Sequence, residues 1–200
     1  MYKNSKVMVI SSSNNYSKSN LDVIKINTTN EINVKRFPQN GQIQIYQSAY
    51  RGSYSSIIRD SLRNAALGRK VLLVQFMKGG VKQGIENAIK LCGNLTWVRS
   101  SHSYDQYNSE EIANNKNLKK SIYESTNELW NFCKKELLSG ENDQIILDEI
   151  SLAIQMKIID KDDLISTLEN RFISGDVILT GTNIPNDLLL MANQITELRS

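Results

Sequence analysis

Residues 43–56, IQIYQSAYRGSYSS, decide how the fold of this 200-residue chain is interpreted. A β-rich run at residues 43–46 is followed by a loop of mostly small residues at 48–53. Residues 55–67 then place apolar side chains at helical spacing, which predicts a strand, a tight loop and a helix in that order. Loops of this kind bind phosphate, because their backbone amides and the N-terminus of the following helix point at the anion.

The letters of the loop differ from the Walker A pattern G-x-x-x-x-G-K-[ST] that such loops usually carry. Gly52 keeps a glycine, but Ser53 stands at the lysine position and Tyr54 at the position of the hydroxyl that holds magnesium. Arg51 is either a surface residue or a clamp on phosphate. The other polar candidates of the loop are Ser48 and Ser55.

Composition excludes several classes of partner. The chain is 40% hydrophobic and 22% charged with a net charge of +3, which is typical of a soluble globular domain and argues against nucleic acid. Its apolar runs are too short for a membrane span or a signal peptide, so we expect no membrane partner and a cytoplasmic location. Cys92 and Cys133 are expected to be reduced thiols, and the single histidine, His102, rules out a histidine-cluster metal site.

Two regions of different composition divide the chain. Residues 1–40 are rich in Asn, Ser, Lys and Thr, which predicts a poorly ordered N-terminal segment. A turn signal, PQNG at residues 38–41, marks the start of a folded domain that we place at 41–200. Within it, further strands are predicted at 70–76, 95–98, 144–147, 176–180 and 194–198, and helices at 83–91, 110–138, 152–158 and 186–191. One more helix is predicted to be capped by Asp160 or Asp162 and to run to Arg171.

This alternation of strands and helices predicts an α/β fold with a mostly parallel sheet and helices on both faces. In such sheets the carboxyl ends of the strands share one edge, where ligands bind. The polar stretches of the chain follow predicted strands and therefore meet at that edge: 48–53, 78–80, 100–108, 148–149 and 180–183.

The adjacent carboxylates Asp148 and Glu149 are the strongest candidates for a metal site. They end a buried strand as the acids of a Walker B strand do, where the carboxylate holds Mg²⁺ directly or through water. The plainer interpretation is an exposed acidic strand end. Lys78 is either a solvated lysine or a phosphate ligand, and Trp97 is expected in the core.

Four stretches resemble the P-loop type of ATP:cob(I)alamin (corrinoid) adenosyltransferases: VQFMKG at 74–79, LDEI at 147–150, VILTG at 177–181 and ITELR at 195–199. The resemblance covers roughly residues 42–199. It implies a RecA-like P-loop NTPase fold that is often a homodimer, a place in cobalamin biosynthesis, and a corrinoid and Mg-ATP as ligands. It also implies transfer of the 5′-deoxyadenosyl group of ATP to cobalt(I) of cobalamin or cob(I)yrinic acid a,c-diamide, with release of triphosphate.

Cobalt is the nucleophile of that reaction, so no catalytic residue is assigned to the protein. The resemblance implies ATP binding by Ser48, Arg51, Gly52, Ser53, Ser55 and Lys78, and metal binding by Asp148 and Glu149. The replaced Walker A lysine and threonine leave an alternative open. In that alternative the chain is a non-catalytic corrinoid- or nucleotide-binding relative with a regulatory or scaffold role.

Overall fold

The structure is a computed structural model that describes residues 40–51, 54–78, 84–102 and 114–198. The N-terminal segment proposed at 1–40 lies outside these ranges except for its last residue, and so do Gly52, Ser53 and the predicted start of the helix at 110.

The described residues form a seven-stranded sheet in the order β3-β4-β2-β5-β6-β1-β7. Neighbouring strands are parallel, except that β3 is antiparallel to β4. The prediction of a mostly parallel α/β fold is therefore confirmed. The strands are β1 (Ile43–Ser48), β2 (Val71–Gln75), β3 (Ile89–Leu91), β4 (Leu95–Arg99), β5 (Gln144–Asp148), β6 (Asp176–Gly181) and β7 (Gln194–Leu198).

Helices cover both faces of the sheet. On one face α1 buries Ile57 and Ala65 in a cluster with Leu73 and Ile146 of the central strands. On the other face the remaining helices form a larger core around Trp130. Because β2 and β5 are buried on both faces, their sequences are nearly continuous apolar runs. The helices are α1 (Ser55–Ala66), α2 (Lys116–Ser139), α3 (Ile150–Gln155), α4 (Lys161–Glu169) and α5 (Asn186–Met191).

The helix predicted at residues 83–91 is wrong. Residues 84–91 contain a single 3₁₀ turn, Ile85–Asn87, followed by strand β3. A tight connection at Cys92 and Gly93, both with positive φ, returns the chain so that β3 pairs with β4. An edge hairpin thus satisfies backbone groups that one short helix would leave open at its ends.

Two further findings concern the cysteines and the membrane. Cys92 is exposed and Cys133 is buried, and both are free thiols. Burial raises the pKa of the Cys133 thiol well above its ordinary value, so this side chain behaves as a small core residue. No helix in the described part of the chain is long and apolar enough to cross a membrane.

Asp160 begins α4 by capping it. Its side chain accepts hydrogen bonds from the backbone amides of Asp162 (2.7 Å) and Asp163 (3.2 Å). We expect Asp160→Ala to lower the free energy of unfolding by about 1 kcal/mol, because two amides of the first turn lose their acceptor. Urea denaturation measures the change. Asp162→Ala removes a first-turn acid that caps nothing and is the matched control; an equal loss in both variants would contradict the capping role.

Candidate functional site

The strand order brings the predicted polar stretches to one edge of the sheet. β5 lies between β2 and β6, and β1 lies beside β6, so the carboxyl ends of these four strands are neighbours. Lys78 follows β2, Asp148 and Glu149 end β5, and Arg51 follows β1. We call Asp148 and Glu149 the acidic pair. Both are buried, with side chains only 2% and 3% exposed.

Glu149 is bound by Arg51. The Nη2 and Nε atoms of the guanidinium donate to Glu149 Oε2 at 2.5 and 3.2 Å, and Nη2 also donates to the backbone oxygen of Met77 at 3.5 Å. The Arg51 side chain is 22% exposed, so it lies nearer to solvent than the carboxylate it holds. Arg51 is therefore not a plain surface residue, because its side chain is partly buried and forms an ion pair with Glu149.

Asp148 is bound on both of its oxygens. Thr180 Oγ1 donates to Oδ1 at 2.7 Å, and Gln75 Nε2 donates to Oδ2 at 2.7 Å. Lys78 Nζ donates to the same Oδ2 at 3.1 Å and lies 3.8 Å from Glu149 Oε1. Lys78 is thus not simply a solvated lysine, because it lies near both acids. The acidic strand end is buried and not exposed.

Three further residues belong to this network: Gln75, Trp97, which was expected only as a core residue, and Thr180, which was named only as part of the polar stretch 180–183. Trp97 donates its indole N–H to Gln75 Oε1 at 2.9 Å, which fixes the amide so that its NH₂ group faces Asp148. Arg99 stacks over the Trp97 ring, 4.3 Å from its centroid. The sequence signal was a polar residue at the end of an otherwise apolar, buried strand, where burial requires a partner.

The backbone at Glu149 is also unusual. Its φ of 61° lies in the left-handed region, which is uncommon for residues other than glycine. The Glu149 amide donates to Thr180 Oγ1 at 2.9 Å, so one threonine hydroxyl holds the backbone of one acid and the side chain of the other. Such backbone conformations cost energy and occur most often at functional sites.

Tyr54 fills the space beneath the site. Its ring is 1% exposed and belongs to the apolar cluster of Ile57, Leu73 and Ile146, between α1 and the sheet. Its hydroxyl is buried and makes no hydrogen bond of good geometry with the described residues. Burial, and then the charges of Asp148 and Glu149, raise the Tyr54 pKa to about 12, although nearby backbone amides act in the opposite direction. The phenol is thus neutral at ordinary pH.

This pKa shift predicts a loss of stability in alkali. The unfolded chain releases the Tyr54 proton near pH 10 and the folded chain near pH 12, so the free energy of unfolding falls as pH rises between those values. We expect the contribution of Tyr54 to be about 2–3 kcal/mol at the upper end. Urea denaturation of wild type and Tyr54→Phe across this range measures it. Parallel curves for the two proteins would contradict the buried, charge-facing phenol.

The remaining candidate residues lie farther from the acidic pair or outside the described ranges. Ser48 accepts the Tyr50 amide at 3.3 Å, and both line an open cleft of about 460 Å³ with Asn183 and Leu198. Ser55 is exposed at the start of α1, and Tyr50 is 65% exposed. Gly52 and Ser53 are not among the described residues, so their role in phosphate binding stays a prediction. The metal role of the acidic pair also stays a prediction.

These features define a class of protein. It has a P-loop-like α/β fold that begins with a strand, a loop and a helix, and polar residues lie at the carboxyl ends of its parallel strands. The profile of the family "ATP:corrinoid adenosyltransferase BtuR/CobO/CobP" matches residues 39–200, and the chain belongs to this family.

Individual relatives match at modest identity. A "Corrinoid adenosyltransferase" of Escherichia coli (strain K12) is 24% identical over 162 residues, which cover 80% of this chain and 78% of the relative. "Corrinoid adenosyltransferase CobA" of Salmonella typhimurium (strain LT2) is 23% identical over 162 residues with the same coverage. "Uncharacterized protein all2391" of Nostoc sp. is 24% identical over 170 residues, which cover 80% of this chain and 44% of that protein.

Proposed function

We propose that this protein binds a corrinoid and ATP and transfers the 5′-deoxyadenosyl group of ATP to cobalt(I), as part of cobalamin biosynthesis in the cytoplasm. Cobalt(I) supplies the electron pair of the new cobalt–carbon bond. The bond between the 5′ carbon and its phosphate oxygen breaks, and triphosphate leaves with the electron pair of that broken bond. No other oxidant or reductant is required, and the protein contributes position and charge.

The observation that carries this proposal is the convergence of Arg51 and Lys78 at the carboxyl edge of a family fold. Arg51 and Lys78 are 22% and 33% exposed, whereas the acids beneath them are almost fully buried. Both cations are therefore closer to solvent than the acidic pair, which supports a role in binding triphosphate. Arginine and lysine stabilise a polyphosphate leaving group by charge-assisted hydrogen bonds.

A second function is favoured by a different observation, the burial of Tyr54. At this position the family has a short hydroxyl residue, and here a ring occupies the core with its hydroxyl enclosed. A chain that kept the fold but lost this hydroxyl and the Walker A lysine would bind corrinoid or nucleotide without transferring the adenosyl group. It would then act as a regulatory or scaffold protein, alone or as a homodimer.

An anaerobic spectroscopic assay separates the two functions. Chemically reduced cobalt(I) corrinoid is mixed with ATP and the full chain, once with Mg²⁺ and once with a chelator, beside the Escherichia coli relative as the active control. Formation of adenosylated corrinoid supports the transferase. No product in either condition, beside an active control, contradicts it; retained binding of corrinoid or ATP then supports the non-catalytic function.

A further inference from the structure

We propose that the acidic pair of this chain is not a magnesium site, because Arg51 and Lys78 take the place of the metal. The acids serve instead as the fixed counter-charge that holds these two cations at the carboxyl edge. The proposal deepens the proposed function, on which it rests, since it states that phosphate groups bind here without a divalent cation.

The contacts of Asp148 leave little capacity for a metal. One of its oxygens accepts from Thr180, and the other accepts from both Gln75 and Lys78, at distances of 2.7 to 3.1 Å. Magnesium requires near-octahedral oxygen coordination at short distances, whereas three of the roughly four lone-pair positions of this carboxylate already accept hydrogen bonds. Gln75 is fixed by Trp97, and Thr180 is fixed by the Glu149 amide.

Glu149 offers one open oxygen in an unfavourable place. Its Oε2 atom is held by Arg51, whereas Oε1 is buried and has no hydrogen bond with the described residues. The Lys78 ammonium lies 3.8 Å from Oε1. A divalent cation bound at Oε1 would therefore lie close to one or two side-chain cations, and like charges at such distances repel strongly where little water screens them.

Tyr54 removes the remaining ligand that the family pattern supplies. Its hydroxyl is enclosed beneath the site in the neutral form, and its ring fills the volume between α1 and the sheet. The two acids thus face two cations of the same chain, and the formal charges of the four side chains cancel. A phosphate group must compete with the acidic pair for Arg51 and Lys78.

This competition and a magnesium site predict opposite effects of Glu149→Gln on triphosphate affinity. Glu149→Gln removes one counter-charge of Arg51, so metal-free inorganic triphosphate is expected to bind the variant about tenfold more tightly than wild type, as one gained charge-assisted hydrogen bond would produce. At a magnesium site the same change would weaken binding of the magnesium complex. Calorimetric titration of the full chain with inorganic triphosphate, in the presence of a chelator, measures the affinity.

A second measurement needs no variant. Wild-type protein is titrated with Mn²⁺ alone, a paramagnetic stand-in for Mg²⁺, and no stoichiometric site is expected. Asp187→Asn is the matched control for the triphosphate titration, because the exposed Asp187 pairs with Lys161 and makes no contact with the acidic pair. It should leave triphosphate affinity unchanged.

Stoichiometric Mn²⁺ binding to wild type that Glu149→Gln abolishes would overturn the proposal. Unchanged or weaker triphosphate binding by a folded Glu149→Gln protein would also overturn it. Neither experiment contains a corrinoid, so failure here differs from failure of adenosyl transfer. Adenosyl transfer that occurs with Mg²⁺ and is abolished by a chelator would contradict this inference but would support the proposed function.

Discussion

Asp148→Ala is expected to lower the free energy of unfolding by about 3–5 kcal/mol, because the buried donors of Thr180 and Gln75 each lose their acceptor, at about 1–3 kcal/mol apiece, and Lys78 loses an ion-pair partner. Thr180, Gln75 and Lys78 all donate to this carboxylate, which is 2% exposed. Removing it leaves the buried donors of Gln75 and Thr180 without their acceptor, whereas Lys78, at 33% exposed, keeps contact with solvent. Urea denaturation followed by circular dichroism measures the change.

Asp187→Ala is the matched control for this prediction. Asp187 also pairs with a lysine, but its side chain is 55% exposed, and exposed ion pairs contribute only about 0–1 kcal/mol. A loss below about 1 kcal/mol for Asp148→Ala, equal to that of the control, would show that the buried network contributes little to stability.

The asparagine variant distinguishes charge from hydrogen bonding at the same position. In Asp148→Asn the side-chain oxygen still accepts from Thr180, but the new NH₂ group faces the NH₂ group of Gln75 and the Lys78 ammonium. Gln75 cannot rotate its amide freely, because Trp97 requires the amide oxygen. We therefore expect a large part of the loss to remain, accompanied by a change in tryptophan fluorescence as the Trp97 contact is disturbed.

The fold could be predicted because two separate sequence signals identify its central strands. β2 and β5 are apolar runs with polar residues at their carboxyl ends. The helix α1, which follows β1 in the chain, has buried residues at helical spacing. Such runs belong to parallel strands buried on both faces, and the alternation with helices then fixes the layers. The hairpin of β3 and β4 was missed because a three-residue edge strand carries almost no periodic signal.

The location of the site was also predictable, whereas its contacts were not. Topology alone directs residues that follow parallel strands to one edge. The pairing of Arg51 with Glu149 joins residues 98 positions apart, and no spacing rule relates them. Gln75 and Thr180 showed a usable signal, since a polar side chain within a buried strand must find a partner.

Tyr54 was interpreted from its place in the loop rather than from its helical spacing. Ile57, Ser61 and Ala65 are the buried residues of α1, and Tyr54 precedes them on the same stripe. Counting back three and four residues along that stripe predicts that position 54 is buried. A bulky residue there belongs to the core, which explains why the ring packs inward. The helical spacing does not extend to Tyr50, which precedes the helix and is 65% exposed.

Restoring the loop is expected to produce the largest change in ligand affinity. Ser53→Lys combined with Tyr54→Thr returns the lysine and the short hydroxyl of the Walker A pattern. A charge-assisted hydrogen bond contributes about 1.5–3 kcal/mol, so Mg-ATP should bind roughly ten- to a hundredfold more tightly than to wild type. Calorimetric titration with Mg-ATP measures the gain.

The same repair should destabilise the fold, because it empties the volume that the Tyr54 ring fills. Replacing a buried aromatic residue by a small one costs about 3–5 kcal/mol. The single variants separate the two effects: Tyr54→Thr should carry the loss of stability, and Ser53→Lys adds the lysine without removing the Tyr54 ring. If the folded double variant binds Mg-ATP no better than wild type, the two replaced loop residues are not what limits nucleotide binding. The ion pairs of Arg51 and Lys78 with the acidic pair would then be the barrier to remove.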